Sequence, residues 1–478
     1  MNRRLVASLL GRLLLLDGAF LGVPLLASLI FREPLEPWIS TIALAALAGL
    51  ALVGAGSTAD RHIRPRDGFL VVGGAWVLVS LLGTLPYVLT GALGVVDGLF
   101  ESVSGFTTTG STVIADVTVV PKSLLLWRAM SQWLGGMGII LFTIAILPLL
   151  GIGGMQLFKA EVPGPVADKI RPRLAATART LWMVYVGFTA AEWVALRLAG
   201  LSGFDALCHS FTTLATGGFS TRNTSVGEFG SPAVEWIVIV FMLVAGINFV
   251  LHFKLLTGRI REVWRDSELR YFIGVIVVSS IVLAATTHEV GSAVADTVRN
   301  AIFQTLSILT TTGYASTNFE LWAPLPLLLL LCLMVLGGMS GSTGGGIKSL
   351  RALLAISSLR NTLLHLIHPR AVRPVKYGGA VVSTSVLSGV WAFLTAYMLI
   401  ALVAAAVVAA HGYDLLTAIS AGLTSIGNVG PGLGEIGAYD NFAHAPGLVK
   451  LTLAGCMLFG RLEIFTLLAI FTREFWRR

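Results

Sequence analysis

Four short stretches carry residue types suited to holding a dehydrated cation. They are Thr107, Thr108, Thr109 and Gly110; Ala215, Thr216, Gly217 and Gly218; Thr310, Thr311, Thr312 and Gly313; and Gly427, Asn428, Val429 and Gly430. Their carbonyls are neutral oxygen ligands, and a ring of carbonyls replacing a cation's hydration shell is how a potassium filter works. No row is acidic, which disfavours calcium, an ion that favours carboxylate ligands. Each row ends on glycine, which tolerates unusual dihedrals and lets the residues before it turn their carbonyls inward. The rows close four segments that align without a gap over 14 residues: Asp97 to Gly110 (DGLFESVSGFTTTG), Asp205 to Gly218 (DALCHSFTTLATGG), Asn300 to Gly313 (NAIFQTLSILTTTG) and Thr417 to Gly430 (TAISAGLTSIGNVG). Each begins on a residue suited to cap a helix and carries a hydroxyl at its eighth position: Ser104, Thr212, Ser307, Thr424. Four copies at equivalent places signify an internal repeat. The competing explanation is Thr/Gly-rich packing between helices, with no ion involved.

The elements that must position these rows follow from composition. Of 478 residues, 55% are hydrophobic and 12% charged, about half the usual charge of a soluble protein. That excludes a soluble enzyme, a disordered chain and a nucleic-acid binder inferred from the net charge of +8. The chain belongs in a lipid bilayer. Apolar runs long enough to span fall at 5–30, 38–56, 68–91, 122–150, 180–200, 232–253, 271–287, 323–357, 380–410 and 447–471. Arg3 and Arg4 precede the first run without a small-residue cleavage site, so it reads as a retained span. With a cytoplasmic N-terminus, 25 of the 33 Lys and Arg fall in the inner pieces 1–12, 57–67, 157–179, 254–270, 347–376 and 472–478, as the positive-inside rule requires. The four repeated segments then lie on the outer side, as re-entrant hairpins or as ordinary loops. Cys208, Cys332 and Cys456 show no spacing for disulfides or zinc.

SGFTTTGSTV (104–113), ATGGFSTRN (215–223), LTTTGYAST (309–317) and GNVGPGLG (427–434) resemble the Trk superfamily of potassium uptake subunits. So do SQWLGGMGIILFTIAILPLLGIGGMQ (131–156), GSTGGGIKSLR (341–351) and GRLEIF (460–465), and the likeness covers nearly the whole chain. Its two extra N-terminal spans are similar to the bacterial TrkH branch. The resemblance implies an all-α polytopic membrane protein with four M1–P–M2 pore repeats around one pseudo-fourfold ion pathway. The implied division is two N-terminal helices in 1–60 and repeats at 61–160, 161–260, 261–360 and 361–478. It also implies a homodimer in the bacterial inner membrane, both termini cytoplasmic, and a TrkA-like cytoplasmic nucleotide-binding regulatory subunit. It further implies that potassium is the transported ion, and this chain itself is expected to bind no nucleotide. Within the superfamily a glycine closing every row goes with potassium, and all four are present here. A pore contrasts with a proton- or sodium-coupled symporter of the same fold, although no acid is expected beside the rows. No HExxH, nucleophile elbow or clustered His/Asp/Glu supports an enzyme.

Gly337 to Gly346 (GGMSGSTGGG) holds six glycines in ten residues. Each disfavours helix by about 1 kcal/mol relative to alanine, so this span must break below the rows. The resemblance assigns Gly344, Gly345 and Gly346 to an intramembrane gating loop, and Arg461 to the pore-facing arginine beside it. Gly341 to Ser349 only superficially resembles a phosphate-binding loop, because Ile347 separates the glycines from Lys348. Lys348 and Arg351 read as ordinary cytoplasmic charges at a helix end. Arg461 and Glu463 lie in the last span, two residues apart, each needing its own partner. Asp116, Lys122 and Arg128 read as a solvated outer rim. Glu101 and His209 are expected to pack behind the rows, and Asn248 and His252 to make helix-packing hydrogen bonds one turn apart.

Overall fold

In lipid, backbone polar groups are satisfied only within a helix or a closed barrel, and a computed structural model of the chain is almost entirely helical. It describes residues 1–56, 64–145, 170–289, 293–370 and 373–477. Among the described residues, six helices are long and apolar enough to cross a bilayer: Arg3–Phe31, Glu36–Ala55, Arg66–Leu89, Thr177–Leu198, Ser267–Thr287 and Thr384–Ala410. The expected run at 122–150 is helical over Lys122–Ala145. Its end lies outside the described residues, as do parts of the basic pieces 57–67 and 157–179.

The other three expected spans are interrupted. The run at 323–357 stops at Leu336 and resumes at Ser349, with the glycine-rich segment between. The run at 232–253, expected to be continuous, splits into Pro232–Gly246 and Phe249–Leu256, bent by 102°. Asn248 causes the restart: its Oδ1 accepts from the Val250 N–H at 2.8 Å, capping a new helix. Asn248 and His252 therefore do not share an unbroken turn, and the His252 ring bonds the Val244 carbonyl across the bend, at 2.8 Å. The last run breaks after Gly447–Arg461 and restarts as Phe465–Ile470. Between them Glu463 and Ile464 take left-handed φ of 59° and 46°, so Arg461 and Glu463 sit at a helix end rather than inside a span.

Four short helices, Val95–Phe106, Gly203–Leu214, Val294–Leu309 and Leu415–Gly427, each follow one of the membrane-length helices in chain order. Asp97, Asp205, Asn300 and Thr417 do not cap them, because each helix starts two to six residues earlier. The side chains that cap are Ser202, which accepts from the Asp205 N–H at 3.0 Å, and Asp414. Asp97 and Asp205 instead occupy first turns, where a negative charge suits the helix dipole. The C-terminal ends meet the four rows, with caps at Thr107, Ala215, Thr310 and Asn428.

Candidate ion-coordinating ring

The four rows share one backbone path. The N–H of the third residue donates to the carbonyl of the repeat's eighth position: Thr109 to Ser104, Gly217 to Thr212 and Thr312 to Ser307, each at 2.8 Å, and Val429 to Thr424 at 2.9 Å. The second residue is left-handed in every row: Thr108 at φ 52°, Thr216 at 53°, Thr311 at 61° and Asn428 at 54°. A β-branched residue with positive φ is an outlier, costing about 1–3 kcal/mol and persisting only where its surroundings over-determine it. The fourth residue is a glycine with φ between 79° and 110°. Each row thus carries two positive φ values, at its second and fourth positions.

The rows also close on one another. A Cβ on Gly110 would overlap the Gly217 carbonyl oxygen, one on Gly218 that of Thr312, one on Gly313 that of Val429, and one on Gly430 that of Thr109. Each is closer than 3.0 Å. First meets second, second meets third, third meets fourth, and fourth returns to first. Both φ and space restrict these four positions to glycine. Asn428 reinforces the closing contact, donating to Thr109 Oγ1 at 3.0 Å and to the Met457 carbonyl at 2.9 Å. An open funnel meets the four glycines.

Behind the rows, the fifth residue of three repeats ties the short helix to the chain emerging past the glycine. Glu101 accepts from the Val113 N–H at 2.9 Å and from Thr112 Oγ1 at 3.0 Å. His209 Nε2 bonds Ser220 Oγ at 3.0 Å, and Gln304 Nε2 donates to Ser316 Oγ at 3.3 Å. Arg128 is no solvated rim: it is buried, its Nε 2.8 Å from Glu101 and its guanidinium 4.1 Å from the Phe219 ring centroid. It thereby braces the first row against the second. Asp116 and Lys122 are exposed, as expected. Hydrogen bonds from Thr118 and Asn223 hold the Asp116 carboxyl below the usual carboxylate range.

On the other side of the rows lies the glycine-rich segment. The Gly345 N–H donates to Thr311 Oγ1 at 2.7 Å, and the Gly346 N–H to the Gly427 carbonyl at 2.9 Å. Gly344 lies against the Thr310 carbonyl. Thr343 Oγ1 donates to the carbonyls of Leu214 at 3.0 Å and Ala245 at 3.1 Å. The funnel meets the fourth residues of the rows, and this segment meets the first and second. Arg461, 2% exposed, donates to the Thr343 carbonyl at 2.7 Å and to the Gly135 carbonyl at 3.1 Å.

A family model described as TrkH, cation transport protein, matches residues 39–477. The chain belongs to this TrkH family. The Trk system potassium uptake protein TrkH of Escherichia coli strain K12 is 41% identical across the full length of both chains, and that of Halomonas elongata 39%. The crystal structure of the potassium transporter TrkH from Vibrio parahaemolyticus superposes with a TM-score of 0.92 over both whole chains, at 39% identity.

In this TrkH-family chain the geometry corrects three charge assignments. Lys348 and Arg351 are not ordinary cytoplasmic charges: Lys348 is buried, and both pair with Glu463, Lys348 at 3.3 Å. The reason is positional, since Lys348 caps a helix N-terminus, where the dipole opposes a cation and a carboxylate must offset it. Glu268, unremarked in the sequence, accepts from the Ser340 N–H at 2.6 Å and so holds the loop's near side. Glu192 is a fully buried acid in the helix behind the second short helix, where none was expected. No motif marks Glu192; only its being the sole acid in that apolar run could have flagged it.

Proposed function

We propose that this chain carries potassium into the cell through the ring of four rows, as a gated pore. What carries the reading is the cyclic approach of each ring glycine to the neighbouring row's carbonyl. Such a ring offers neutral oxygens to a cation stripped of its water. The ends of three short helices stop at the rows, and their partial negative charge favours a cation there. The relatives at 39–41% identity are potassium uptake proteins by name. The sites are Thr107 to Gly110, Ala215 to Gly218, Thr310 to Gly313 and Gly427 to Gly430, in repeats spanning 61–160, 161–260, 261–360 and 361–478. Gly344, Gly345 and Gly346 form the gate, and Arg461 places a positive barrier beside it. The working unit is a homodimer in the bacterial inner membrane, both termini cytoplasmic, regulated by a TrkA-like nucleotide-binding subunit.

The test is flux through purified protein in liposomes, comparing potassium, rubidium, sodium and lithium. Potassium and rubidium are expected to pass well ahead of the smaller ions; equal sodium and potassium flux overturns the reading. Arg461→Ala is expected to raise unregulated potassium flux, and unchanged flux and regulation would remove the barrier role.

A further inference from the structure

Glu192 lies in the helix Ile170–Leu198 and is completely buried, and neither carboxylate oxygen has a hydrogen-bond partner. It faces Thr213, two residues before the second row, whose hydroxyl already donates to the His209 carbonyl at 2.7 Å. The carboxyl thus sits against the short helix that ends at the second row.

The buried titratable groups on the elements packed around it are engaged elsewhere or neutral, Arg197 on its own helix donates to the Leu201 carbonyl, and Arg179 and Lys122 are exposed. On its own helix, the Tyr185 hydroxyl donates to the Trp133 carbonyl at 3.1 Å, with Arg461 beyond it. On the short helix Gly203–Leu214, His209 bonds Ser220, Asp205 pairs with Arg222, and Cys208 is a buried free thiol. Tyr314 bonds Thr212. On Lys122–Ala145, Arg128 is committed to Glu101. On Pro232–Gly246, Glu235 is taken by Arg299, and on Phe249–Leu256, His252 bonds the Val244 carbonyl. No cation is therefore paired with Glu192 among the described residues.

We propose that Glu192 is a proton-binding site behind the second row, where a bound proton and a potassium ion in the ring oppose one another. An ionised carboxylate without a counter-ion is costly in a dry interior, and an ionisable group retained inside a span is a functional candidate. The ring is built from neutral oxygens, so a potassium ion arriving there supplies the missing positive charge. Potassium then favours proton release from Glu192, and by reciprocity a proton on Glu192 weakens potassium binding by the same factor. This rests on the potassium reading above.

Uptake into liposomes, measured over a range of potassium concentrations in acidic and in alkaline media, tests it. In the native protein KM for potassium is expected to fall about 5-fold or more from acid to alkali. Glu192→Gln, neutral and of the same shape, is expected to show no such dependence and to keep the KM of the acid form. A Glu192→Gln profile that follows the native one overturns the proposal. A second measurement needs no variant: adding potassium to lightly buffered native protein in detergent, with a pH-indicator dye, should release protons, whereas choline should not. No release with potassium also overturns it. Absence of potassium flux at any pH sinks the pore reading, whereas flux with no pH response sinks only the proton site.

Discussion

At the residue scale, the four ring glycines are constrained twice, by positive φ and by a neighbour's carbonyl where a Cβ would stand. A serine at Gly110 or Gly313 must push the adjacent row aside, widening the ring there. Gly110→Ser and Gly313→Ser are each expected to lower the potassium-to-sodium flux ratio about tenfold, equivalent to about 1.4 kcal/mol of lost discrimination. An unaltered ratio in both would favour simple helix packing. These glycines were legible because glycine alone combines small size with left-handed freedom. The left-handed second position was not, because three rows place threonine there and threonine does not advertise positive φ; only Asn428 is of a type enriched in that region. Glu101 and Arg128 were opaque for another reason: 27 residues separate them, and nothing in chain order says that they meet.

At the element scale, broken helices are legible where the break is made of glycine and silent where a side chain makes it. Gly337 to Gly346 declares its interruption; the bend at Asn248 and the restart after Glu463 depend on one cap and one ion cluster. That cluster supports a prediction. Glu463→Ala leaves the buried Lys348 and the half-buried Arg351 without their carboxylate, a loss of about 3–5 kcal/mol, readable as a marked fall in the thermal midpoint of the purified protein; an unchanged midpoint would mean the pair is dispensable. Thr311→Val removes the acceptor of the Gly345 N–H while keeping the shape of the side chain. An unsatisfied buried amide costs about 1–3 kcal/mol, so the loop should loosen and potassium leak should rise in liposomes. The turn Phe319–Leu321 responds to pH instead. Burial and the neighbouring Asp440 raise the Glu320 carboxyl to about 7. A raised acid binds more protons folded than unfolded, so its contribution is lost as pH climbs from about 4.5 to about 7. Asp440→Asn should flatten the fall in thermal midpoint over that window.

At the scale of the whole molecule, scarce charge makes its placement informative. Twenty-five of 33 basic residues fall in the pieces assigned to the cytoplasm, and the same assignment turns the funnel over the ring glycines outward and the glycine-rich segment inward. The orientation and the direction of uptake thus stand or fall together. Cysteine labelling separates the two faces, because a charged thiol reagent cannot cross the bilayer. Val119, 77% exposed near the funnel, and Thr362, exposed on the helix Ser349–Ile367 beyond the glycine segment, are suitable sites. Cys332, itself exposed, must first be replaced by alanine. In intact cells Val119→Cys should react at once and Thr362→Cys only after permeabilisation. The reverse pattern would place the funnel inside, and the ring would then receive its ions from the cytoplasm through the wide mouth, with the glycine-rich segment and its ionic anchor facing out.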